Sequence, residues 1–313
     1  MEGLTSVCKK SFSKSIVVKE LAKNNGKVSF EVERGEIFGV IGPDGAGKTT
    51  LFRVLTTLLL PDSGEAKVEG YDIVKDYREI RKIVGYMPGR FSLYQDLTVE
   101  ENLRIFATLF NTTIEENYHL IKDIYCHLEP FKKRKAGALS GGMKQKLALS
   151  CALIHKPEVL FLDEPTTGID PVSRKELWEM LGRLKREGIT IVVSTPYMDE
   201  ASLCDRIALM QDGKFLMCDT PRAIIDSFDK NLFSVKGENM GVLLEGLRGA
   251  DGVLSCFAFG DSLHITTEKE NGIFQAVTAD SLKAYLEKAG FKGVEVTKTE
   301  PSVEDCFMEL LSK

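Results

Sequence analysis

The sequence lacks several features that would place it in a specialised class of protein. It has only four histidines, and none of them has the spacing of metal ligands. Acidic residues outnumber basic ones by 46 to 41, and the net charge of −5 argues against nucleic-acid binding, which needs a basic surface. No stretch reaches the roughly 18 apolar residues of a membrane-spanning helix. The lysine-containing N-terminus is followed by no apolar run, so no secretory signal is predicted.

The sequence is also short of paired cysteines. Its seven cysteines are scattered, and no C-x-x-C pair occurs. This pattern favours reduced thiols in the core over disulfides or a metal site. The remaining composition, with 43% hydrophobic and 28% charged residues, is that of an ordinary globular protein. A length of 313 residues allows one large domain or two smaller ones.

Short apolar segments alternate with helical ones in the first two thirds of the chain. Residues 36–42, 159–163 and 189–195 have the continuous apolar character of buried parallel strands. Helical patterns follow the first two of these segments, at 48–60 and 171–187. The alternation predicts an α/β fold with a mainly parallel sheet.

The rest of the chain has a different character. Residues from about 90 to 155 have mainly helical patterns, which predicts a helical insertion inside the α/β domain. The C-terminal part alternates short strands and helices and has no candidate catalytic residue, which predicts a small α+β domain with a hairpin that turns at Gly260. We therefore divide the chain into two domains, 1–228 and 229–313.

A glycine-rich segment follows the first buried strand. It matches G-x-x-x-x-G-K-[ST], the pattern of a phosphate-binding loop, with a strand before it and a helix after it. Glycines let successive backbone N–H groups point at phosphate oxygens, and the helix N-terminus adds its positive dipole end. In this pattern Lys48 would reach the β- and γ-phosphates, and Thr49 would bind Mg²⁺. The predicted nucleotide-binding residues are Gly42, Pro43, Asp44, Gly45, Ala46, Gly47, Lys48, Thr49 and Thr50.

Two acidic residues stand at the end of the second buried strand. A phosphate-loop enzyme needs a carboxylate at a neighbouring strand end to complete the Mg²⁺ shell, and Asp163 suits that role. Glu164 is placed to orient and deprotonate the attacking water. An isolated Asp-Glu pair is more often a charge pair at a helix N-terminus, but the phosphate loop favours the catalytic interpretation. Glu164 and Lys48 are therefore the predicted catalytic residues.

The segment LSGGMKQK precedes another helical run. Ser140 is placed to cap that helix, and Gly141 and Gly142 expose backbone N–H groups, which predicts a second anion site. Many helices begin with Ser-Gly, so this segment supports a functional site only in combination with the motifs around it.

Together, GPDGAGKTT, LSGGMKQK, VLFLDEPTTGID and ITIVVST, in that order, resemble the nucleotide-binding subunit of ABC transporters over about residues 28–228. The resemblance implies a P-loop ATPase fold, ATP and Mg²⁺ as cofactors, and two ATPase subunits, identical or different, that enclose two ATP molecules. Ser140, Gly141 and Gly142 of one subunit would complete the site of the other. Asp170 would belong to the loop that links the two sites.

The C-terminal segment TEPSVEDCFMELL resembles an accessory tail of bacterial ABC export ATPases, including drug and antibiotic exporters. That resemblance implies export, a separate membrane-spanning permease subunit, and a cytoplasmic position on the inner face of the cell membrane. The segment GYMPGRFSLYQDLTVEENL is similar to the region that meets the permease, with Phe91, Leu93 and Tyr94 as candidate contacts or, equally, as local core residues. A soluble ABC ATPase that acts on ribosomes or DNA is the alternative, which the single ATPase domain and the acidic balance disfavour.

Two positions depart from the family pattern. Gly89 stands where the family usually has Gln, and Pro196 where it usually has a His that contacts the γ-phosphate. Proline has neither a side-chain donor nor a backbone N–H. Either hydrolysis survives on the remaining residues, or the chain is a degenerate, mainly ATP-binding regulatory subunit; the retained Glu164 favours hydrolysis. Phe12 is the candidate for stacking on adenine, followed by a stretch, 13–27, that fits the family pattern poorly.

Overall fold

The computed structural model of the protein describes residues 13–248, 250, 252–268, 278–291 and 293–312. The chain divides into two compact units between Pro221 and Arg222. None of the described helices is long and apolar enough to cross a membrane. The six cysteines within the described residues are free thiols, and four of them are buried, as expected of reduced core cysteines.

The first unit is built around a ten-stranded sheet. Its strands are β1 (Lys14–Lys23), β2 (Gly26–Glu33), β3 (Ile37–Ile41), β4 (Ser63–Val68), β5 (Tyr71–Asp72), β6 (Val84–Met87), β7 (Val159–Asp163), β8 (Thr190–Thr195), β9 (Arg206–Gln211) and β10 (Lys214–Asp219). Its helices are α1 (Lys48–Leu55), α2 (Tyr77–Ile83), α3 (Val99–Leu109), α4 (Tyr118–Tyr125), α5 (Gly141–Leu153) and α6 (Pro171–Arg186), and α7 (Pro221–Asp226) begins at the division between the units.

The sheet has a parallel half and an antiparallel half. The strand order is β5-β4-β1-β2-β10-β9-β3-β8-β7-β6. The five strands from β9 to β6 are parallel to one another, whereas β5, β4, β1 and β2 pair antiparallel. The prediction of a mainly parallel sheet is therefore right for the half that carries the motifs and wrong for the other half.

The antiparallel half contains the stretch 13–27 that fits the family pattern poorly. It is a β-hairpin, in which β1 and β2 are joined through Asn24 and Asn25. Both asparagines have positive φ, 50° and 67°, which is the conformation of a type I′ hairpin turn. Ile16 and Val18 are buried on alternate positions of β1. This alternation and the Asn-Asn pair were the sequence signals for the hairpin.

The central strands of the parallel half are buried at every residue. This holds for β3, β7 and β8, in agreement with their predicted positions. Helix α1 packs against β7 through Phe52 and Phe161, whose rings meet edge to face with centroids 5.6 Å apart. Burying each ring contributes about 1.5–3 kcal/mol, so this pair fixes the start of α1 above the strand ends.

Helix α1 is shorter than the sequence pattern predicts. It ends at Leu55 rather than near residue 60. Thr57 has a positive φ of 64°, and Leu58 N donates to Arg53 O at 2.7 Å, so the chain turns away before the apolar run is finished. Leu58 and Leu60 are left 54% and 67% exposed.

Helices α3, α4 and α5 lie between β6 and β7 in the chain, where a helical insertion was predicted. The loop before α3 is held by Asn102, which is fully buried and bonds both the N–H and the carbonyl of Tyr94. Leu93 is buried, whereas Tyr94 is 58% exposed. Of these two candidate permease contacts, Leu93 is a core residue and only Tyr94 presents a free surface.

The second unit contains a four-stranded antiparallel sheet in the order β12-β13-β11-β14. The predicted turn at Gly260 is found between β12 and β13. Helix α9 begins at residue 279, directly after Thr278, whose side chain caps it. The elements are β11 (Asn231–Lys236), α8 (Met240–Arg248), β12 (Val253–Phe259), β13 (Ser262–Thr267), α9 (Ala279–Lys288), β14 (Glu295–Lys298) and α10 (Val303–Leu311).

Candidate nucleotide-binding site

The predicted phosphate loop connects the buried strand β3 directly to the first turn of α1. Gly47, the residue before the helix, has a φ of 106°, which favours glycine. Gly42 lies so close to β9 that a Cβ atom would stand 2.2 Å from the carbonyl oxygen of Met210. Both glycines are therefore required by geometry, and they let the backbone curl in front of the helix N-terminus, where an anion binds.

Lys48 lies inside this loop and is 3% exposed. Its ammonium donates to the carbonyl oxygens of Gly42, at 2.8 Å, and Pro43, at 3.0 Å. It also lies 3.2 Å from Oε1 of Glu164. The two predicted catalytic residues thus form an ion pair at the centre of the candidate site.

Asp163 ends β7 and is 1% exposed. Its Oδ1 accepts hydrogen bonds from the hydroxyl groups of Thr49, at 3.1 Å, and Ser194, at 2.7 Å. These side chains meet because β3, β7 and β8 are adjacent parallel strands whose carboxyl ends lie at one edge of the sheet. The sequence analysis did not identify Ser194 as a site residue. The sequence feature that could have indicated it is a polar residue near the end of an apolar strand.

Glu164 stands in a strained conformation, with a φ of 51°. Such a backbone costs on the order of 1–3 kcal/mol and persists only when its surroundings enforce it. Here the N–H of Glu164 donates to the carbonyl oxygen and the hydroxyl of Ser194, at 3.1 and 3.0 Å. The bend turns the Glu164 side chain out of the sheet, where it is 24% exposed.

The donor set suits Mg²⁺. Thr49 supplies a hydroxyl oxygen and Asp163 a carboxylate oxygen, and hard cations prefer such ligands. Among the described residues, no group of three or more His, Cys, Asp or Glu side chains is placed to hold a metal. Mg²⁺ usually keeps several waters and takes about one or two protein carboxylates plus substrate phosphates. The pair therefore fits a magnesium ion that arrives with a nucleotide.

Ser140 caps α5, as predicted, since its hydroxyl accepts from Met143 N at 3.4 Å. The residue is exposed. Within the described part of the chain it makes no hydrogen bond to Lys48, Thr49 or Glu164. The start of α5 lies instead beside the loop before α6, where a Cβ atom on Gly141 would stand 3.6 Å from Gly168 O.

Asp170 caps α6. Its Oδ1 accepts from the backbone N–H groups of Val172, at 3.1 Å, and Ser173, at 3.0 Å. The hydrogen bonds from Ser173 are the main cause of a lowered pKa of Asp170. The structure thus assigns Asp170 a helix-capping role, and its role in linking two sites stays a prediction.

The two positions that depart from the family pattern both border the site. A Cβ atom on Gly89 would lie 3.1 Å from the carbonyl oxygen of Asp163 and 3.8 Å from its Oδ2. Pro196 follows Thr195, whose carbonyl accepts a hydrogen bond from Gly42 N at 3.3 Å. A longer side chain at position 89 would therefore lie against Asp163. Phe12, the candidate for adenine stacking, lies outside the described residues.

Glu200 is a buried acidic residue that the sequence analysis missed. It is 1% exposed and accepts hydrogen bonds from Thr166, at 3.1 Å, from Arg174, at 2.5 Å, and from Trp178, at 3.1 Å. Thr166 follows Glu164 by two residues, and the other two donors lie on α6. Glu200 therefore joins the segment after Glu164 to the helix that Asp170 begins.

The site consists of a buried strand and the phosphate loop that follows it, a lysine inside that loop, and two carboxylates at the end of a neighbouring strand. These features define a phosphate-loop nucleotide-binding protein. The profile of the family described as ABC transporter matches residues 26–167. The chain is 35% identical to the Nod factor export ATP-binding protein I of Rhizobium sp. strain N33, over 97% of this chain and 95% of that protein. By sequence and fold, the chain belongs to the ABC transporter family as an ATP-binding subunit.

Further relatives differ in length. The chain is 40% identical to the probable multidrug ABC transporter ATP-binding protein YbhF of Escherichia coli, over 90% of this chain but 48% of that protein, so it spans about half the length of this relative. Among solved structures, an ATP-binding subunit of an ABC transporter matches with a TM-score of 0.63 at 29% identity, over 68% of this chain and 92% of that one. The ATP-binding cassette MJ0796, a dimer bound to ADP and Pi, matches with a TM-score of 0.59 at 26% identity, over 66% and 98%.

Proposed function

We propose that the protein hydrolyses ATP in sites shared between two ATPase subunits and uses the cycle to drive export through a separate permease. One observation supports hydrolysis above all. Two contacting pairs lie at one edge of the sheet. Lys48, the candidate phosphate ligand, pairs with Glu164, the candidate base, at 3.2 Å. Thr49 and Asp163, the candidate magnesium ligands, are 3.1 Å apart.

Binding begins with the triphosphate. The backbone N–H groups of the loop and the α1 N-terminus attract the phosphates, and Lys48 exchanges its carbonyl partners for phosphate oxygens. Thr49 and Asp163 would hold Mg²⁺, which neutralises phosphate charge when it is bound. Ser194 keeps the Asp163 carboxylate aimed at Thr49, because it donates to the same oxygen.

Glu164 then acts on the attacking water. Its carboxylate is paired with the ammonium of Lys48, at 3.2 Å. When the γ-phosphate binds the Lys48 ammonium, the ion pair between Lys48 and Glu164 separates, and the Glu164 carboxylate can accept a proton from water. The strained backbone holds the side chain at the exposed face, where that water enters. Hydrolysis is thereby tied to nucleotide binding.

The other half of each site comes from a second subunit. Ser140 and the first N–H groups of α5 form an anion site that is exposed and separate from Lys48 within one chain. A relative of known structure is a dimer. We therefore place Ser140, Gly141 and Gly142 on the γ-phosphate bound by the partner subunit, with Asp170 beside them.

Export is proposed from the relatives. A protein named for Nod factor export aligns along nearly the whole chain, and another is named a probable multidrug transporter component. The permease would hold the chain at the inner face of the cell membrane, with Tyr94 as one exposed contact.

The test is Mg²⁺-ATP turnover of the purified full chain beside Glu164→Gln. This change keeps the shape of the side chain but removes its ability to take a proton. We expect turnover to fall by about a hundredfold or more, with ATP still bound. Equal rates in the two proteins would show that Glu164 is not the base.

A mainly ATP-binding regulatory subunit is the second candidate, which Gly89 and Pro196 favour. The double variant Gly89→Gln, Pro196→His tests it. If the wild type binds ATP without turnover and the double variant turns it over, the chain is a degenerate subunit that needs a complete partner. The contact of residue 89 with the Asp163 backbone makes Pro196→His alone a useful second variant.

A further inference from the structure

A cavity of about 190 Å³ lies between α4, α5 and α6. No residue of the phosphate loop lines it. Helices α4 and α5 belong to the helical insertion, whereas α6 follows β7 in the α/β part of the first unit. An apolar protein cavity of about 150 Å³ is large enough to bind benzene, so this one can hold a compact ring system. Its walls are apolar side chains of the three helices and of β6, namely Met87, Ile124, Leu149, Leu177 and Met180.

The charged side chains around the cavity are paired with one another. Lys146 lies 3.1 Å from Oε2 of Glu176 and donates to Nδ1 of His127 at 2.8 Å. Because an ammonium group can only donate, the imidazole of His127 accepts this hydrogen bond and is neutral. Arg183 lies 2.9 Å from Oδ2 of Asp123. A charged ligand would have to break one of these pairs, at a cost that a neutral ligand avoids.

Gln145 offers a neutral polar group inside the cavity. It is half-buried, and no described residue hydrogen-bonds its side-chain amide. Ser173 also lines the cavity, but its side chain bonds to Asp170. Glu179, a further charged lining residue, is 58% exposed and lies 3.9 Å from Lys175, so water solvates its carboxylate. A carboxamide both donates and accepts, so Gln145 can hydrogen-bond one polar group of a ligand.

The cavity adjoins the segments that carry the candidate site residues. Pro165, which follows Glu164, lines it, and so does Ile169, which precedes Asp170. Gly142, in the first turn of α5, lines it as well. A molecule in the cavity would therefore contact the segment after the candidate base and the start of α5 together.

We propose that this cavity is a regulatory site that binds a neutral, mainly apolar molecule of about two fused rings with one hydrogen-bonding group, and that the bound molecule slows ATP turnover. The apolar walls supply the affinity, Gln145 binds the polar group, and the paired rim disfavours charged molecules. The regulatory part rests on the proposed function, because it assumes that Glu164 hydrolyses ATP in a site shared with a second chain. By bridging α5 and α6, the molecule stabilises one arrangement of these helices, and the shared site opens and closes more slowly.

The first experiment is a fluorescence titration of the full-length chain with 2-naphthol, a neutral bicyclic molecule with one hydroxyl. Two analogues isolate the features of the site: naphthalene lacks the hydroxyl, and 2-naphthol-6-sulfonate adds a negative charge. We expect 2-naphthol to bind saturably. The sulfonate should bind at least about tenfold more weakly, because the apolar walls cannot solvate its charge.

Two variants assign the binding to this cavity. Leu177→Trp fills it from α6 and should weaken the binding of 2-naphthol at least about tenfold. Lys175→Trp places the same ring at an exposed position of α6 and is the matched control, which should change nothing. Gln145→Leu should weaken 2-naphthol by about three- to tenfold and leave naphthalene unchanged, because only the hydroxyl loses its partner. This variant decides the assignment if Leu177→Trp alters the folding.

The regulatory role is tested by phosphate release at saturating Mg²⁺-ATP. Saturating 2-naphthol should lower the turnover of the wild type and of Lys175→Trp by about fivefold, and it should leave the turnover of Leu177→Trp unchanged.

Three titration results would each overturn the site: no saturable binding of 2-naphthol, equal affinity in the wild type and both cavity variants, or a sulfonate that binds as tightly as 2-naphthol. A wild-type turnover that saturating 2-naphthol does not change would overturn the regulatory role. Failure of the proposed function gives a different pattern. A chain that hydrolyses no ATP would refute that function and the regulatory role together, whereas the titrations would still decide whether the cavity binds 2-naphthol.

Discussion

The phosphate-loop edge of the sheet and the start of α5 are the two candidate anion-binding regions of the chain, and they differ in how completely one chain organises them. At the sheet edge, Lys48 and Asp163 are nearly fully buried, and each has several partners within 3.2 Å. At the start of α5, Ser140 is exposed and accepts one hydrogen bond of 3.4 Å. The first region is organised by the fold of one chain, whereas the second is left open.

The difference has a physical cause. The sheet edge needs no partner, because adjacent parallel strands bring the ends of β3, β7 and β8 together in any folded copy. A helix N-terminus leaves its first N–H groups without intrahelical partners, so the start of α5 stays a candidate anion site. Under the proposed function, one chain binds the nucleotide at its phosphate loop, and the other chain contacts the same nucleotide through the start of its α5.

The largest expected effect concerns the buried region. Lys48→Ala should weaken Mg²⁺-ATP binding and reduce turnover by about a thousandfold, because the β- and γ-phosphates lose the buried ammonium of Lys48. Isothermal calorimetry and a phosphate-release assay would measure both. Lys175→Ala is the control, since that lysine is 80% exposed on α6. Near-normal binding in Lys48→Ala would contradict the assignment of the loop.

The open region gives the next effect. Ser140→Ala should reduce turnover by about a hundredfold while each chain still binds ATP. Mixing it with Lys48→Ala should restore activity, because a mixed dimer holds one site with an intact Lys48 and an intact Ser140. Random pairing predicts about a quarter of the wild-type rate. Two variants that stay inactive when mixed would show that Ser140 does not act across subunits.

His155, two residues beyond the end of α5, is partly buried, in contrast to the exposed Ser140 at the start of that helix. His155 stacks on Phe110 with centroids 3.8 Å apart, its Nε2 meets Val84 O at 3.2 Å, and Nδ1 has no partner among the described residues. Burial, against the smaller effect of the Val84 hydrogen bond, lowers the pKa of His155 to about 4. The histidine is therefore held neutral in the folded protein.

The consequence is a loss of stability in acid. In the unfolded chain His155 is protonated below about pH 6.5, whereas in the folded chain its pKa is about 4. The free energy of unfolding therefore falls as the pH falls from about 6.5 to about 4. The loss should reach about 3 kcal/mol, measured as urea midpoints between pH 7.5 and 4.5. His155→Phe should flatten the slope, and an unchanged slope would place the titrating group elsewhere.

The smallest effect concerns the connection between the sheet edge and α6, whose preceding loop lies beside the start of α5. Glu200→Gln should lower kcat by about tenfold with little change in KM, because the segment after Glu164 loses its charged link to α6. Asp199→Asn is the matched control, since Asp199 also pairs with Arg174, at 2.9 Å, but is 72% exposed. Equal losses of kcat in both variants, or a change confined to KM, would contradict a positioning role for Glu200.

Much of the candidate site was predictable because its residues lie next to strands and helices with strong local signals. Lys48 follows a buried strand, and Asp163 ends one. Ser194 and Glu200 were not predictable, because their partners lie about 30 residues away in the chain. The antiparallel half of the sheet was missed, since a register shift between Val18 and Leu21 interrupts the alternating pattern of β1.

By itself the sequence determined the α/β class, the phosphate loop, the acidic pair and the helix that Ser140 caps. Each of these depends on contacts within a few residues, such as a glycine turn or an N-cap. Only the tertiary structure decided that Lys48 pairs with Glu164, that Glu200 joins three segments, and that α4, α5 and α6 enclose a cavity. These contacts join distant parts of the chain, and strand order and packing, rather than local conformational preference, bring them together.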